Sequence, residues 1–323
     1  YGDEGQKRID LYQQIENKVN AIRKKIQSKD QAAFYQLVYY PVRGACLINK
    51  KFIYRDKSYY YSLQNRQSAV DYAQLSNAAY DSIILETDYF NNQISGAKWK
   101  NIMSMKPRNL PVFLEPGITP VNMDETASWG IAPEGWVNKD SSLLNMKEAY
   151  QLPGFDPLNR QQYFIDLFLS NQQSLDWEAT VSVPWIKLSQ IKGRISPEPG
   201  HKQTRIRVSV DWSKAPVTTF LTGTIRFTGA GKEYSVSVKA NRLNSKGVRG
   251  FIENNGYVSI QASHYNWIKL QYASTWEKET GTGYNGETLR SGWRNVSEPE
   301  KLKDSSWIKS NCSVAEYDFY TFT

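Results

Sequence analysis

The sequence contains little cysteine and histidine, and it has no long apolar run. Of its 323 residues only two are cysteines and two are histidines. Cys46 and Cys312 lie far apart, so we expect two free, buried thiols rather than a disulfide. His201 and His264 are too isolated to form a metal site, and we predict no metal and no cofactor. Neither a signal peptide nor a membrane-spanning run is present.

The motifs of several enzyme classes are also missing. There is no GxSxG sequence, and no cysteine has a histidine nearby, which argues against a nucleophilic hydrolase. The glycines at 229–231 and 281–286 precede no predicted helix, so we expect no phosphate cradle. Spacing alone selects no pair of carboxylates for acid–base catalysis. We assign Asp166 and Asp211 to pairing or turn roles and expect Glu253 to be solvated.

The charge of the chain is basic but dispersed. Forty basic and 32 acidic residues give a net charge of +8. Basic side chains cluster only at 23–25 and 50–51, where a solvated helix face explains them, so we predict no nucleic-acid partner. A basic field is also compatible with an acidic glycan. Ten tryptophans and 21 tyrosines suit both sugar-facing surfaces and the cores of β-sandwiches.

Residues 3 to about 105 have the pattern of long helices, which predicts an antiparallel bundle. The residues that recur at steps of three and four and should line the apolar face of the first helix are Leu11, Ile15, Val19, Ile22 and Ile26. Ser28 and Gln31 have the spacing of a capping box that begins the next helix. A further helix is predicted over about 62–92.

The apolar and aromatic stretch 33–51 should be a buried, interrupted helix at the centre of the bundle. Phe34, Leu37 and Val38 have helical spacing on one face. Pro41 lacks an N–H donor and crowds the preceding turn, so we predict a kink or a helix boundary there.

The rest of the chain has the sequence patterns that are typical of β-structure. Short alternating runs, punctuated by Pro, Gly and Asn, predict an all-β sandwich between about 153 and 245. These runs lie at 163–168, 178–183, 205–210, 224–227 and 234–238. Trp185 and Trp212 lie inside or beside such runs and should belong to the core. We therefore predict a multidomain α plus all-β protein.

Four blocks of sequence, taken together, resemble a known family. They are YGDEGQ (1–6), AFYQLVYYPV (33–42), QNRQSA (64–69) and SGAKWKNIMSMKPR (95–108). In this order they resemble the helical domain that follows the catalytic barrel of glycoside hydrolase family 115, the xylan α-1,2-glucuronidases. The stretch 177–213 resembles the immunoglobulin-like sandwiches of gut-bacterial polysaccharide enzymes. Residues 250–267 resemble the start of a jelly-roll domain akin to carbohydrate-binding modules, with a strand over 256–264.

The resemblance implies four segments. They are a helical bundle (1–106), a Pro-rich extended crossing segment (107–152), an immunoglobulin-like β-sandwich (153–245) and an incomplete carbohydrate-binding-module-like β-sandwich (246–323). In the last of these, Gln261 and Ser263 stand where the family pattern has acidic residues, which weakens any inference of a calcium or sugar contact there. Tyr1 is not a natural start, so we expect a piece of a longer protein.

The resemblance also implies a function. The parent enzyme would remove α-1,2-linked glucuronic or 4-O-methyl-glucuronic acid from xylan by an inverting, metal-free reaction. Its catalytic barrel would lie outside this chain, so we assign no catalytic residue here. Implied partners are glucuronoxylan, the missing barrel and a second copy in a homodimer. Tyr284, Trp293 and Trp276 are candidates for contact with approaching substrate.

The implied setting is secreted, periplasmic or cell-surface, in a gut-type Bacteroidetes bacterium. Two rival hypotheses stay open. One is a free-standing carbohydrate-binding surface protein without catalysis, and the other is a purely structural role in adhesion or assembly.

Overall fold

The chain forms two compact units. The structure, a computed structural model, describes residues 3–104, 110–118, 128–135, 150–242, 246–271, 274–283, 285–293 and 299–322. The first unit comprises Tyr1–Pro153, Gln162–Ala215 and Thr222–Lys239; the second comprises Gly154–Gln161, Pro216–Leu221 and Ala240–Thr323. Helices together with antiparallel and mixed sheets confirm the predicted α plus all-β class. The immunoglobulin-like and jelly-roll assignments stay predictions.

Three long helices build the helical part of the first unit. The helices of the chain are α1 (Glu4–Arg23), α2 (Gln31–Phe34), α3 (Tyr40–Leu63), α4 (Ser68–Asn92) and α5 (Ser305–Asn311). Helix α3 packs against both α1 and α4. The apolar core of these helices is formed by Val19, Tyr35, Tyr39, Phe90 and Ile94. Aromatic rings therefore supply most of the buried area of this core.

The predicted interruption near Pro41 is present as a π-helical segment within a continuous helical run. Residues Tyr35–Tyr39 form a π-helix, in which the N–H of Tyr40 donates to the carbonyl of Tyr35, and α3 begins at Tyr40 with Pro41 in its first turn. Pro41 has no N–H to donate and its ring crowds the preceding turn of a regular α-helix, and the π-turn just before it accommodates both effects. The wider π-turn also changes which side chains face the core. Tyr35 and Tyr39 are buried, whereas the predicted core residue Leu37 is 77% exposed.

The buried face of α1 differs from the predicted one. Ile9, Glu16 and Val19 are buried, while Leu11, Ile15 and Ile22 are exposed. The prediction assumed that the most apolar stripe faces the bundle. Instead, α3 places Arg43 and Lys50 beside α1, and Glu16 turns inward to pair with them. A buried carboxylate is kept only when it is paired, so this contact fixes the rotation of α1.

The predicted capping box at Ser28 is not formed. Ser28–Asp30 is a 3₁₀ turn, and α2 begins at Gln31 without a side-chain cap. The amide of Gln31 reaches back and donates to the carbonyls of Arg23 (2.9 Å) and Ile26 (2.8 Å). Arg23 is the last residue of α1 and Ile26 lies just beyond it, where helix geometry leaves carbonyl acceptors without intrahelical donors. The side chain of Gln31 therefore caps the C-terminal end of α1 and does not cap the start of α2.

Two sheets complete the first unit. The strands are β1 (Trp129–Pro133), β2 (Tyr150–Gln151), β3 (Tyr163–Leu169), β4 (Leu175–Val181), β5 (Ile186–Leu188), β6 (Lys192–Ile195), β7 (Gln203–Val210), β8 (Phe220–Gly229) and β9 (Lys232–Asn241). Sheet A has the order β1-β3-β7-β5, and sheet B has the order β2-β9-β8-β4-β6. The sheets are tied where the indole of Trp129 donates to the carbonyl of Gly229 at 3.0 Å. Trp185 is buried, as predicted, and Trp212 is half-buried.

Strand β3 is buried on both faces. Ile165, Leu167 and Leu169 are fully buried on one face, and Asp166 and Phe168 are buried on the other. Because side chains alternate along a strand, the second face needs its own cover. The turn between α3 and α4 supplies it: Arg66 lies over the ring of Phe168 and bonds Asp166. Helices and sheet A are thus packed directly together.

The second unit contains small two-stranded sheets. Its strands are β10 (Phe251–Ile252), β11 (Trp267–Lys269), β12 (Ser274–Thr280), β13 (Glu287–Trp293), β14 (Val314–Glu316) and β15 (Phe319–Tyr320). They pair as β10-β15, β11-β14 and β12-β13. The strand predicted over 256–264 is not formed; only an isolated bridge joins Asn254 to Tyr257. The side chains of Gln261 and Ser263 bond each other there at 3.1 Å.

The rotation of α1 can be tested with two truncations. Ile9 is 3% exposed and Leu11 is 57% exposed. We expect Ile9→Ala to lower the free energy of unfolding by about 2 to 4 kcal/mol, because it empties packed space. Leu11→Ala should change it by less than about 0.5 kcal/mol. Denaturant titrations followed by far-ultraviolet circular dichroism measure both; equal losses would contradict the observed rotation.

Candidate functional site

The hairpin that carries the predicted substrate contacts is formed by β12 and β13. Its register pairs Ser274 with Trp293 and Trp276 with Ser291. Trp276 is half-buried, and its indole N–H donates to the carbonyl of Ser313 at 2.9 Å. Its polar atom is therefore used within the unit. Tyr284 lies outside the described residues. The substrate-approach role of Tyr284, Trp293 and Trp276 stays a prediction.

Two of the acidic residues discussed above, Asp211 and Glu253, bond neighbouring groups of the fold. The carboxylate of Asp211 accepts from Ser213 and Lys187, and these hydrogen bonds lower its pKa to about 2. Its predicted pairing and turn role is confirmed. Glu253 was expected to be solvated but is buried, and it accepts from the N–H groups of Gly256 (3.2 Å) and Phe322 (2.7 Å). It satisfies backbone donors that would otherwise be unpaired.

Both cysteines are buried and free. Burial, together with a hydrogen bond to Glu16, raises the pKa of the Cys46 thiol to about 11, so it is not an activated nucleophile. Among the described residues, no group of three or more His, Cys, Asp or Glu side chains could hold a metal ion. In the same part of the chain, every helix is too short or too polar to span a bilayer.

A dense group of charges lies where the helices meet sheet A. We call Asp3, Lys57, Arg66, Asp166 and Arg205 the junction cluster. Asp166 of β3 lies opposite Arg205 of β7 in the sheet register. Both oxygens of Asp166 accept from Arg205, at 2.7 and 3.0 Å, and Arg66 adds a third bond at 3.1 Å. This fork geometry gives strong, directional hydrogen bonds.

The start of α1 joins the same cluster. Asp3 caps α1 by accepting from the N–H of Gln6, and its other oxygen accepts from Arg205 (2.9 Å) and Lys57 (3.3 Å). Lys57 also donates to the side chain of Gln6 at 2.8 Å. Two of the sequence blocks noted above, 1–6 and 64–69, therefore meet at this cluster.

The pKa values of Asp3, Lys57 and Arg205 are shifted within the cluster. Burial raises the pKa of Asp3, but attraction to Lys57 and Arg205 outweighs burial and the pKa is lowered overall. Burial lowers the pKa of Lys57, and Asp3 only partly offsets this effect. The pKa of Arg205 is raised, because its bonds to Asp166 exceed the cost of its burial. The pairing thus favours the charged forms of Asp3 and Arg205, whereas burial disfavours the charged form of Lys57.

Two cavities border this region. A cleft of about 220 Å³ opens beside the junction cluster and is also lined by Tyr60, Pro133 and Phe164. The charged groups of the junction cluster already bond one another. We therefore assign to the cluster a fastening role, which is to hold the helices on sheet A. The second cavity, of about 420 Å³, lies beside α4 and contains Tyr72, Leu75 and the ion pair of Lys202 with Asp71. Its charges are likewise satisfied internally.

An apolar stripe remains exposed on α1. Leu11, Ile15 and Ile22 are spaced by four and seven residues, so they lie on one face of the helix. We call them the α1 stripe. Exposed apolar side chains in such a row are typical of a surface that packs against another body.

Comparison with known proteins gives one family match. Residues 250–323 match the model of the glycosyl hydrolase family 115 C-terminal domain. The chain is thus an α plus all-β protein whose C-terminal part is similar to a glycoside hydrolase domain. No curated protein matches it.

Several solved structures show a slight likeness. The Salmonella enterica SafA pilin in complex with the SafB chaperone is 6% identical over 32% of this chain and 55% of that chain, with a TM-score of 0.25. A family 123 glycoside hydrolase from Clostridium perfringens is 12% identical over 39% of this chain and 30% of that chain, with a TM-score of 0.27. Likenesses this small support no argument about function.

Removal of the central carboxylate tests the fastening role. Asp166→Ala leaves Arg66 and Arg205 without their shared partner, and we expect a loss of about 3 to 5 kcal/mol in the free energy of unfolding. Asp176→Ala is the matched control, since Asp176 is also a strand residue paired with an arginine, Arg194, but is exposed. The control should cost less than about 1 kcal/mol. Similar losses in both variants would contradict the fastening role.

The lowered pKa of Asp3 predicts an acid-dependent contribution to stability. A folded-state pKa below the ordinary value means that the stabilisation is present above about pH 4 and is lost as pH falls through the folded pKa. The difference in the free energy of unfolding between the wild type and Asp3→Asn should therefore be largest near neutral pH and shrink under acid. Asp176→Asn, a substitution at an exposed residue, is the surface control, and a pH-dependent loss as large as that of Asp3→Asn would contradict the role of Asp3.

Proposed function

We propose that this chain is the accessory C-terminal part of a family 115 glycoside hydrolase whose catalytic barrel lies outside the chain. The match of residues 250–323 to the family's C-terminal domain carries this proposal. The four sequence blocks within residues 1–108 also support this proposal. They lie outside the residues that the family model matches. The chain's own residues then scaffold the enzyme and contribute no catalytic group.

The substrate of the parent enzyme follows from the same resemblance. The enzyme would release α-1,2-linked glucuronic or 4-O-methyl-glucuronic acid from xylan, outside the cytoplasm of a gut-type Bacteroidetes bacterium. The net charge of +8 suits an approach of the acidic polymer. In a homodimer, the C-terminal region of one copy would approach the active site of the other, where Tyr284, Trp293 and Trp276 would meet substrate.

The helical part has the features of a scaffold. Its inner side is fastened to sheet A through the junction cluster and through the N–H of Gln67, which donates to the carbonyl of Leu169 at 2.8 Å. Its outer side carries the α1 stripe. We infer that the stripe packs against the catalytic barrel, because burial of these side chains would stabilise the docked arrangement.

A second candidate function is carbohydrate binding without catalysis. The observation that favours it is the exposed indole of Trp267 in the second unit. The two functions differ in one respect: an enzyme's accessory part requires a catalytic domain in the same polypeptide, and a free-standing binding protein does not.

Activity assays on two gene products separate the candidates. We expect the purified 323-residue chain to release no glucuronic acid from glucuronoxylan. A longer product of the same gene, with the upstream coding sequence included, should release it. Release by the chain alone would defeat the accessory assignment. An upstream region that encodes only a signal peptide would leave carbohydrate binding as the function.

Docking of the α1 stripe has its own test. We expect Ile15→Asp to leave the melting temperature of the isolated chain nearly unchanged, because an exposed residue loses little contact. In the longer product the same change should lower the melting temperature by several degrees, because a charge would be buried in the interface. Asp176→Ala serves as a surface control in both proteins. Equal shifts of Ile15→Asp in the two proteins would show that the stripe does not dock.

A further inference from the structure

The two-stranded sheet of β11 and β14 presents an exposed tryptophan. Its antiparallel register pairs Trp267 with Glu316 and Lys269 with Val314. Directly opposed residues of an antiparallel pair lie on the same face, and so do residues two apart along a strand. Trp267, Lys269 and Glu316 therefore share one face, and all three are exposed. We call them the Trp267 platform.

The exposure of Trp267 is unusual within this chain. Its side chain is 51% exposed, whereas Trp129, Trp177 and Trp185 are each at most 2% exposed. Trp276, in the neighbouring hairpin, is half-buried and uses its N–H on a backbone carbonyl. An exposed indole of this size offers an aromatic face on which a ligand ring can stack.

The polar groups of the platform are unengaged. Within the described residues, the side chains of Trp267, Lys269 and Glu316 make no hydrogen bond or ion pair. The platform thus offers an indole N–H and an ammonium as donors and a carboxylate as an acceptor. This contrasts with the junction cluster, in which the charged groups bond one another.

These groups match one class of ligand. A pyranose ring presents C–H groups on its face, which are attracted to the negative face of an indole, and hydroxyls at its edge, which both donate and accept. A polyanion such as a nucleic acid gains no net charge attraction at the platform, because the carboxylate of Glu316 offsets the ammonium of Lys269. We propose that the Trp267 platform binds a sugar ring of a polysaccharide, with the ring stacked on Trp267 and its hydroxyls bonded to Lys269 and Glu316.

The charges of the platform also specify the kind of sugar. One ammonium and one carboxylate cancel, so the platform gives no net attraction for a uronic acid. The bound unit is then a neutral backbone sugar rather than a glucuronate branch. This inference deepens the proposed function and rests on it for the choice of xylan as ligand. In the parent enzyme, the platform would hold the xylan backbone while the branch reacts elsewhere.

Affinity measurements on the full chain test the platform. We would titrate the protein with unsubstituted xylo-oligosaccharides and with glucuronoxylan oligosaccharides by isothermal calorimetry. The wild type should bind both with similar affinity per site. Trp267→Ala should weaken binding at least about tenfold. Glu316→Ala and Lys269→Ala should each weaken it by about three- to tenfold, since each removes hydrogen bonds to the sugar.

Two further variants separate a specific loss of the platform from a general effect of changing an exposed apolar residue. Trp267→Phe keeps an aromatic face and should retain part of the affinity. Leu270→Ala removes another exposed apolar side chain just beyond β11 and should leave the affinity unchanged. Circular dichroism would establish that all variants are folded.

The outcomes decide the proposal independently of the enzyme assay. Loss of binding confined to the platform variants supports it, whether or not the longer gene product is active. No binding of either oligosaccharide by the wild type, or full binding by Trp267→Ala, overturns it. Binding of the glucuronate-bearing form alone overturns the assignment to the neutral backbone. Dimerisation abolished by Trp267→Ala, without sugar binding, would show that the platform contacts a second copy instead.

Discussion

The first unit depends on one buried carboxylate. Asp166 and Arg66 each expose only 3% of their side chains, and the two are joined by a hydrogen bond of 3.1 Å. Burial of either charge alone would cost several kcal/mol. Arg205 completes the arrangement from the neighbouring strand and extends it to Asp3 at the start of α1. The position of the helices on sheet A is therefore fixed by charges that are stable only when all of them are in place.

The junction cluster explains why the inner and outer sides of the helical part carry different kinds of residue. The inner side carries the paired charges, the rings over Arg66 and the turn that donates to β3. The outer side carries the α1 stripe, whose apolar side chains remain 47 to 57% exposed. A rigid attachment on one side and an apolar surface on the other are the properties of a scaffold, which has to hold a partner domain in a constant position.

Recognition and stability use polar groups in opposite ways. In the junction cluster the donors and acceptors satisfy one another, and the cleft beside it has little left to offer a ligand. On the Trp267 platform the aromatic face, the ammonium and the carboxylate all face solvent without partners. Only groups of the second kind can exchange water for the hydroxyls of a sugar at small cost. The candidate binding surface therefore lies in the second unit.

The sequence by itself determined the local features. Pro41 marked an interruption of the helix because its ring and its missing N–H act on the nearest turn. Alternation marked strands such as β3, β4 and β7. Only the tertiary structure determined the rotation of α1, the burial of Glu253 and the greater exposure of Trp267 compared with Trp276. Arg66 meets Asp166 across 100 residues, and Glu16 turned inward because α3 brought cations to it. Such choices depend on charges and rings from distant segments, and no periodicity within one segment contains them.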